Sequence, residues 1–210
     1  MSIVLPTGLD ATTFQRLELN AGIFLKNFSG TLTGTVTNAA TFKTALDAAI
    51  TARTTVLGAT RGGGTFTATP ESRQIEADGM RYPIIGSTVY DSWDCHLTGT
   101  MIEAYPGNWN LVLPTGTITT SGQIDTLKFA TALESSDYLT TLDWVSILSD
   151  GTYMMIVLKN ALQVGTLTFT FADKNEGTLP FDFKAHAANL SSQDEAPVEI
   201  RWYHPAPASP

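Results

Sequence analysis

The chain has 210 residues, 43% of them hydrophobic, which is enough to bury a core in one sizeable β domain. Only 15% are charged, as expected if neighbours cover much of the surface, and a net charge of −8 argues against electrostatic capture of nucleic acid or of an anionic membrane. The single cysteine, Cys95, excludes an internal disulfide and a cysteine-built metal site, and reads as a small buried hydrophobe.

Residues 1–38 lack a strong period. They hold no basic n-region or long apolar stretch, so no signal peptide is expected, and no run anywhere approaches the ~20 apolar residues of a membrane span. This stretch reads as an extended N-terminal arm, lying on its own domain or reaching a neighbour. The second option is favoured because Ile23, Phe24, Leu25 and Phe28 are too apolar to leave in water.

At residues 41–53 the period changes. Phe42, Ala45, Leu46, Ala49 and Ile50 form one helical stripe, with Asn38 or Thr41 as cap. From Gly62-Gly63-Gly64 onward the pattern is β. Phe66 and Ala68 alternate with threonines, 71–77 is polar on both faces apart from Ile75, and Asp78-Gly79 signals a tight turn. Residues 64–90 are therefore expected as a long hairpin arm, with Cys95, Leu97 and Met101 alternating on its return. Pro106-Gly107-Asn108 reads as a turn, and 127–133 is read as strand. Residues 142–148 and 153–158 flank Ser149-Asp150-Gly151 as a hairpin; its second strand is apolar on both faces and hence central.

The last third alternates cleanly: Leu167, Phe169 and Phe171, then Phe181, Phe183, Ala185 and Ala187, then Val198, Ile200 and Trp202. Residues 204–210 are proline-rich and read as a disordered tail. The expected fold is mainly β, an antiparallel sandwich or barrel of two packed sheets with one flanking α-helix. Its divisions are an N-terminal arm (1–38), a single domain (39–203) and the tail.

Motifs that carry chemistry are absent from the sequence. His96 and His186 sit opposite the apolar face of alternating runs, and neither HxxxH nor HExxH spacing occurs. The glycine triplet lacks the GK[ST] ending of a phosphate loop and precedes a strand, so its expected use is close backbone packing or a flexible crossing. There is no GxSxG elbow. Asp91 and Asp94 flank Trp93, but two acids three apart on a β surface are ordinarily solvated. No enzyme, cofactor or metal is expected. Acids do cluster: between Tyr82 and Leu158 Lys128 is the one Lys or Arg, against eight Asp or Glu, among them Asp91, Asp94, Glu103 and Asp125.

The run GATRGGGTFTATPESRQIEADGMRYPIIGSTVYDSWDCHLTGTMIEA resembles the early β-hairpin region of major tail proteins, the tail tube subunits of long-tailed, siphovirus-type bacteriophages and prophages. Other pieces agree in order. Leu19-Asn20-Ala21-Gly22 with Lys26-Asn27-Phe28 is similar to their N-terminal arm. Asp137-Tyr138-Leu139 with Leu142-Asp143-Trp144-Val145 and Asp150-Gly151 is similar to their middle. Lys159-Asn160-Ala161-Leu162, Asp173-Lys174-Asn175-Glu176-Gly177, Phe183-Lys184-Ala185-His186 and Pro197-Val198-Glu199-Ile200 are similar to their C-terminal hairpin.

The resemblance implies two packed β-sheets with a side helix, and hexameric rings stacked into a hollow tube. It implies self-association through the arms, a tape-measure protein inside, and terminator or head-completion and distal tail proteins at the ends. DNA would pass through the lumen without specific binding. The protein would sit in the virion tail, assembled in the host bacterial cytoplasm. The residues expected in the self-assembly arm are Glu71, Arg73, Ile75, Glu76, Asp78, Gly79 and Arg81. Asp91, Asp94, Glu103 and Asp125 are candidate lumen acids. Two alternatives stand: a tail-tip or contractile-tube relative of the same fold, and a monomeric carbohydrate-binding sandwich using Trp93, Trp109 or Tyr105 as a stacking platform.

Overall fold

The computed structural model describes residues 17–32, 34–170 and 173–206. Along the chain the elements are β1 (Ile23–Lys26), α1 (Ala39–Ala52), β2 (Thr60–Gln74), β3 (Thr88–Met101), α2 (Pro106–Val112), β4 (Gly116–Ser121), β5 (Ile124–Phe129), β6 (Leu139–Ile147), β7 (Tyr153–Gln163), β8 (Leu179–Lys184) and β9 (Val198–Tyr203). Every ladder among these strands is antiparallel, so the mainly-β antiparallel class expected from the sequence is the one adopted.

Seven strands share one sheet in the order β1-β6-β7-β8-β3-β2, with β9 also on β7. Strand β7 serves two neighbours in succession. Residues 153–158 pair with β9, whereas Leu162 and Gln163 pair with β8. Between them Asn160 has φ 45°, in the left-handed region that Asn tolerates better than most residues. Its side-chain amide donates to the His186 carbonyl at 2.9 Å, fixing the bend. The sheet thus folds into two halves, β1-β6-β7-β9 and β8-β3-β2.

Two apolar clusters follow from strand alternation. Phe24, Leu142 and Leu158 from the first half meet Leu97, Met101, Phe181 and Phe183 from the second, and Phe24 meets Phe181 edge-on with centroids 5.1 Å apart. On the opposite face of the first half, Leu25, Val145, Met155 and Val157 lie under Phe42 and Leu46 of α1, with Phe28 beside them. Strand β7, buried at Met155, Ile156, Val157 and Leu158, is covered on both faces as its sequence predicts. The helix starts two residues earlier than the stripe suggests. Asn38 accepts the Ala40 and Thr41 N–H groups, each at 3.0 Å, and Thr41 Oγ1 accepts the Asn38 N–H at 3.2 Å, a reciprocal capping box. Among the described residues no helix is long and apolar enough to cross a membrane.

Several stretches depart from the sequence expectation. Ile23, Phe24, Leu25 and Phe28 do not reach out to a neighbour. They form or follow β1, which pairs with β6, and Phe24, Leu25 and Phe28 are fully buried in the chain's own two clusters. The domain therefore begins at β1, before residue 39. Residues 1–16 of the expected arm lie outside the described residues. Pro106-Gly107-Asn108 opens α2 instead of marking a turn: proline is tolerated at the first helical position, and the buried Asn108 amide donates to the Glu103 carbonyl at 2.7 Å. The strand expected at 127–133 ends at Phe129, and it pairs with β4 in a separate two-stranded sheet.

Residues 166–170 keep their alternation without a ladder. Leu167 and Phe169 are half-buried against the first cluster and the intervening threonines are exposed, and the stretch carries an isolated bridge, Thr170 to Thr178, outside the named strands. Phe171 lies outside the described residues. In β9 the expected inner set is only partly covered: Val198 packs against the first cluster but Ile200 and Trp202 are exposed, while on the other face Tyr203 stacks on Phe42 with centroids 4.1 Å apart. The start of the expected tail is tied down, since the His204 carbonyl accepts the Ala39 N–H at 2.9 Å; residues 207–210 lie outside the described residues.

Candidate assembly surface

The glycine triplet sets the hairpin in place. Gly62 and Gly63 have φ 76° and 71°, and the β2–β3 register shifts between Thr60 and Gly64. Gly64 lies under the Phe24 ring, and a Cβ there would also come within 2.5 Å of the Thr98 carbonyl oxygen. Close packing, one of the two uses expected of the triplet, is thus what Gly64 supplies.

Beyond this point the hairpin outruns its support. Strand β8 pairs with β3 only from His96 to Met101. Among the described residues, 69–74 and 88–94 therefore have only each other as strand partners, and every residue from 68 to 74 is exposed. The register shifts again between Glu71 and Ser72, which pair with Ser92 and Tyr90, so Asp91 is an extra, bulged residue that adds twist. Arg73 Nε donates to Asp91 at 2.9 Å and Ser92 Oγ to Glu71 at 2.8 Å. These exposed contacts hold the arm's two strands in register and add little stability.

Gln74 and Thr88 end the ladder, and the Ile75 N–H donates to the Ser87 carbonyl at 2.7 Å. Asp78-Gly79 does turn, with Gly79 at φ 92° and the Met80 N–H on the Ala77 carbonyl, but inside a longer loop. A second turn, from Ile84 to Ser87, carries Gly86 at φ 92°. All the expected arm residues are gathered and exposed here: Glu71 and Arg73 on β2, and Ile75, Glu76, Asp78, Gly79 and Arg81 on the loop.

The candidate lumen acids are not brought together. Asp94 lies on the outer face of β3 with His96 and Thr98. These three residues pair in register with Thr69, Thr67 and Thr65 on β2, and His96 and Thr98 with Lys184 and Asp182 on β8. Lys184 Nζ lies 2.6 Å from Asp94, and His96 bridges Asp182 at 2.7 Å and Asp94 at 3.2 Å. The Lys184 hydrogen bond, aided by His96, holds the Asp94 carboxyl below its ordinary range against the opposing effect of desolvation. Asp91 is on the overhang, paired with Arg73. Glu103 accepts the Ala59 N–H at 2.9 Å and faces Arg53 at 3.7 Å. Asp125 is on the β4–β5 hairpin, taking the Thr120 hydroxyl at 2.7 Å. Three of the four acids have a basic partner, which linear spacing could not reveal.

Sequence reasoning missed the β4–β5 hairpin as a projecting element. Ile124 and Phe129 are each 68% exposed, and a lone two-stranded ribbon is marginal in water. Of the three aromatic platform candidates, Trp109 packs against Phe169 and Tyr105 against Gly107. Trp93 lines a cleft of about 530 Å³, beside Tyr90 and facing His186 and residues 192–197. Cys95 is buried, and burial pushes its thiol pKa up.

Compared with known proteins, the chain matches no family model and no curated protein.

Proposed function

We propose that the chain is the structural subunit of a phage tail tube, assembling with copies of itself into stacked hexameric rings around a channel for the viral genome. The observation that carries this reading is the hairpin arm. Among the described residues strand β2 has no strand partner on its outer edge along all 15 residues, and its distal half is bare on both faces. Such an edge is an association hazard in a free monomer and an assembly device in a ring. A head-to-tail arrangement of one such contact grows as a filament until something caps it. The ring number, the tape-measure partner and the end-capping partners rest on the sequence resemblance.

In this reading the polar outer face of β2, β3 and β8 lines the lumen. Threonines dominate it, and Asp94 and Asp182 are set against Lys184 and His96. Such a face offers phosphates neither a basic patch nor releasable counterion contacts. Negative-stain electron microscopy and sedimentation of the purified chain test the proposal: rings or tubes that grow with concentration are expected, and a strict monomer at high concentration, with or without a tape-measure protein, refutes it.

One observation favours a second reading. Trp93 and Tyr90, with centroids 5.7 Å apart, line a polar cleft of ligand size, as a saccharide platform would. Sugar binding by a monomer, lost in Trp93→Ala, would carry that reading instead.

A further inference from the structure

The two halves of the sheet do not close over each other at one end. Phe24, Phe66, Leu97, Trp144, Met154 and Ile156 line an open groove of about 280 Å³. Its apolar face continues past Ile156 and Met154 to their ladder partners Ile200 and Trp202, which are exposed. Among the described residues the one charged group lining the groove is Glu18, placed by a bridge to Leu148 and by hydrogen bonds from the Asn20 N–H and the Ser146 hydroxyl.

A second apolar feature lies at the far end of the hairpin. Tyr82 is 81% exposed, Ile84 62%, and Ile85 as exposed as in an isolated residue. With Pro83 they form a neutral limb, preceded by Arg81, the one basic residue of loop 75–87. Neither Arg81 nor Glu18 has an ion-pair partner among the described residues.

The limb cannot seat in its own groove. Phe66 lies eight strand positions before Gln74, or about 27 Å at ~3.4 Å per residue. Ile85 precedes Thr88 by three residues, which span at most about 11 Å. The groove has room for one or two of the limb's side chains, since a cavity of about 150 Å³ accepts a benzene ring and the groove is nearly twice that volume.

We propose that residues 82–85 of one copy dock in the open groove of a second copy, with Arg81 set against Glu18. This rests on the self-assembly reading and names the surface that receives the arm. The contact joins two different patches of the same chain, so it leaves a free groove and a free limb at the ends and propagates head to tail. The hydrophobic limb supplies the adhesion, and the Arg81–Glu18 pair fixes orientation.

The test is cysteine cross-linking in a Cys95→Ala background, with folding of each variant checked by circular dichroism. Ile85→Cys and Met154→Cys are prepared separately. A disulfide-linked dimer is expected on mixing them and from neither alone. Linkage of Ile85→Cys to itself without a mixed product overturns the proposal in favour of a tip-to-tip contact. Linkage of Met154→Cys to a Leu5→Cys chain, and not to Ile85→Cys, overturns it in favour of the N-terminal segment as occupant. No mixed product from a chain that sediments as an oligomer overturns the docking and leaves self-assembly standing; a chain that stays monomeric overturns both. As a second measurement, Arg81→Glu should lower the mixed cross-linking yield at least tenfold, and adding Glu18→Arg should restore it; no effect of the swap removes the ion pair from the proposal.

Discussion

Phe24 lies directly over Gly64, so the buried ring that β1 contributes to the inter-sheet core needs a bare backbone on β2. The ring cannot retreat, because it also meets Phe181 edge-on. Gly64→Ala should therefore cost about 1–3 kcal/mol, the usual range for overpacking a tight core. Gly62→Ala, which meets no atom within 4 Å but keeps a left-handed φ, should cost about 1–2 kcal/mol. Urea denaturation followed by tryptophan fluorescence measures both, and a neutral Gly64→Ala would show that Phe24 can shift.

Asp143 is fully buried in β6 and ties the chain after β1 to the sheet. One carboxylate oxygen accepts the Phe28 and Ser29 N–H groups, both at 2.9 Å, and the Thr141 hydroxyl at 3.0 Å, while the other has no partner. Burial raises its pKa above the ordinary 3.8, against the pull of those donors. The sign follows: the fold favours the neutral acid, so this contribution is complete below the unfolded pKa and is lost as pH rises through the folded one. Asp143→Asn keeps an acceptor for the two N–H groups and removes the titration. Its urea midpoint should vary less than that of the wild type as pH is raised above the ordinary carboxylate range. Asp143→Ala strands both N–H donors and should lose about 2–3 kcal/mol at acid pH, where the wild-type contribution is complete, and less as pH rises.

The overhang should be dispensable for folding. Replacing residues 72–91 by Asn-Gly closes the hairpin at the Glu71–Ser92 pair with a favoured two-residue turn. The thermal midpoint should stay within a few degrees of the wild type, because the replaced residues are nearly all exposed. Rings or tubes should disappear from electron micrographs, and a shortened chain that still polymerises would take the assembly role away from the arm.

The outer face of β3 and β8 offers a test of the lumen assignment. Asp94→Lys with Asp182→Lys places two further cations beside Lys184 and His96. Assembly should persist while genome delivery slows, since each added phosphate contact must be broken as DNA passes. Particles carrying both substitutions that deliver DNA at the wild-type rate would mean that this face points elsewhere. The same substitution at Glu103 should have no effect on delivery, because Glu103 is engaged with Ala59 and Arg53 away from this face.

What could be read from the sequence was governed by local period. The stripe from Phe42 to Ile50 with Asn38 before it gives α1, and the two-sided apolar run at 153–158 gives a central strand, because burial pattern and propensity agree there. Where a tertiary partner decides, period misleads. Leu167 and Phe169 alternate as in a strand, yet what imposes the alternation is the packed core beneath them, and the bridge from Thr170 to Thr178 is not extended into a named strand. Ile200 and Trp202 look like core residues because the sequence does not show that the sandwich stays open at that end. Ile23, Phe24 and Leu25 are too few to look like a strand until Asp143, Trp144 and Val145 are known to lie opposite. The acids show the same limit: Asp94 meets Lys184, 90 positions away, and only the β3–β8 register brings them together.

The bend at Asn160 also decides how the molecule bears load. From β2 to β1 the backbone ladders run without a break, so tension on the hairpin arm travels through hydrogen bonds across the whole sheet. Along that path the link between β7 and β8 is the shortest, two register pairs, Leu162 with Lys184 and Gln163 with Phe183. A pull on the arm therefore finds its seam there. The fastening is narrow, reinforced by the Val164 and His186 N–H groups on the Asp182 and Lys159 carbonyls, so under strain the chain should give way as a clasp does.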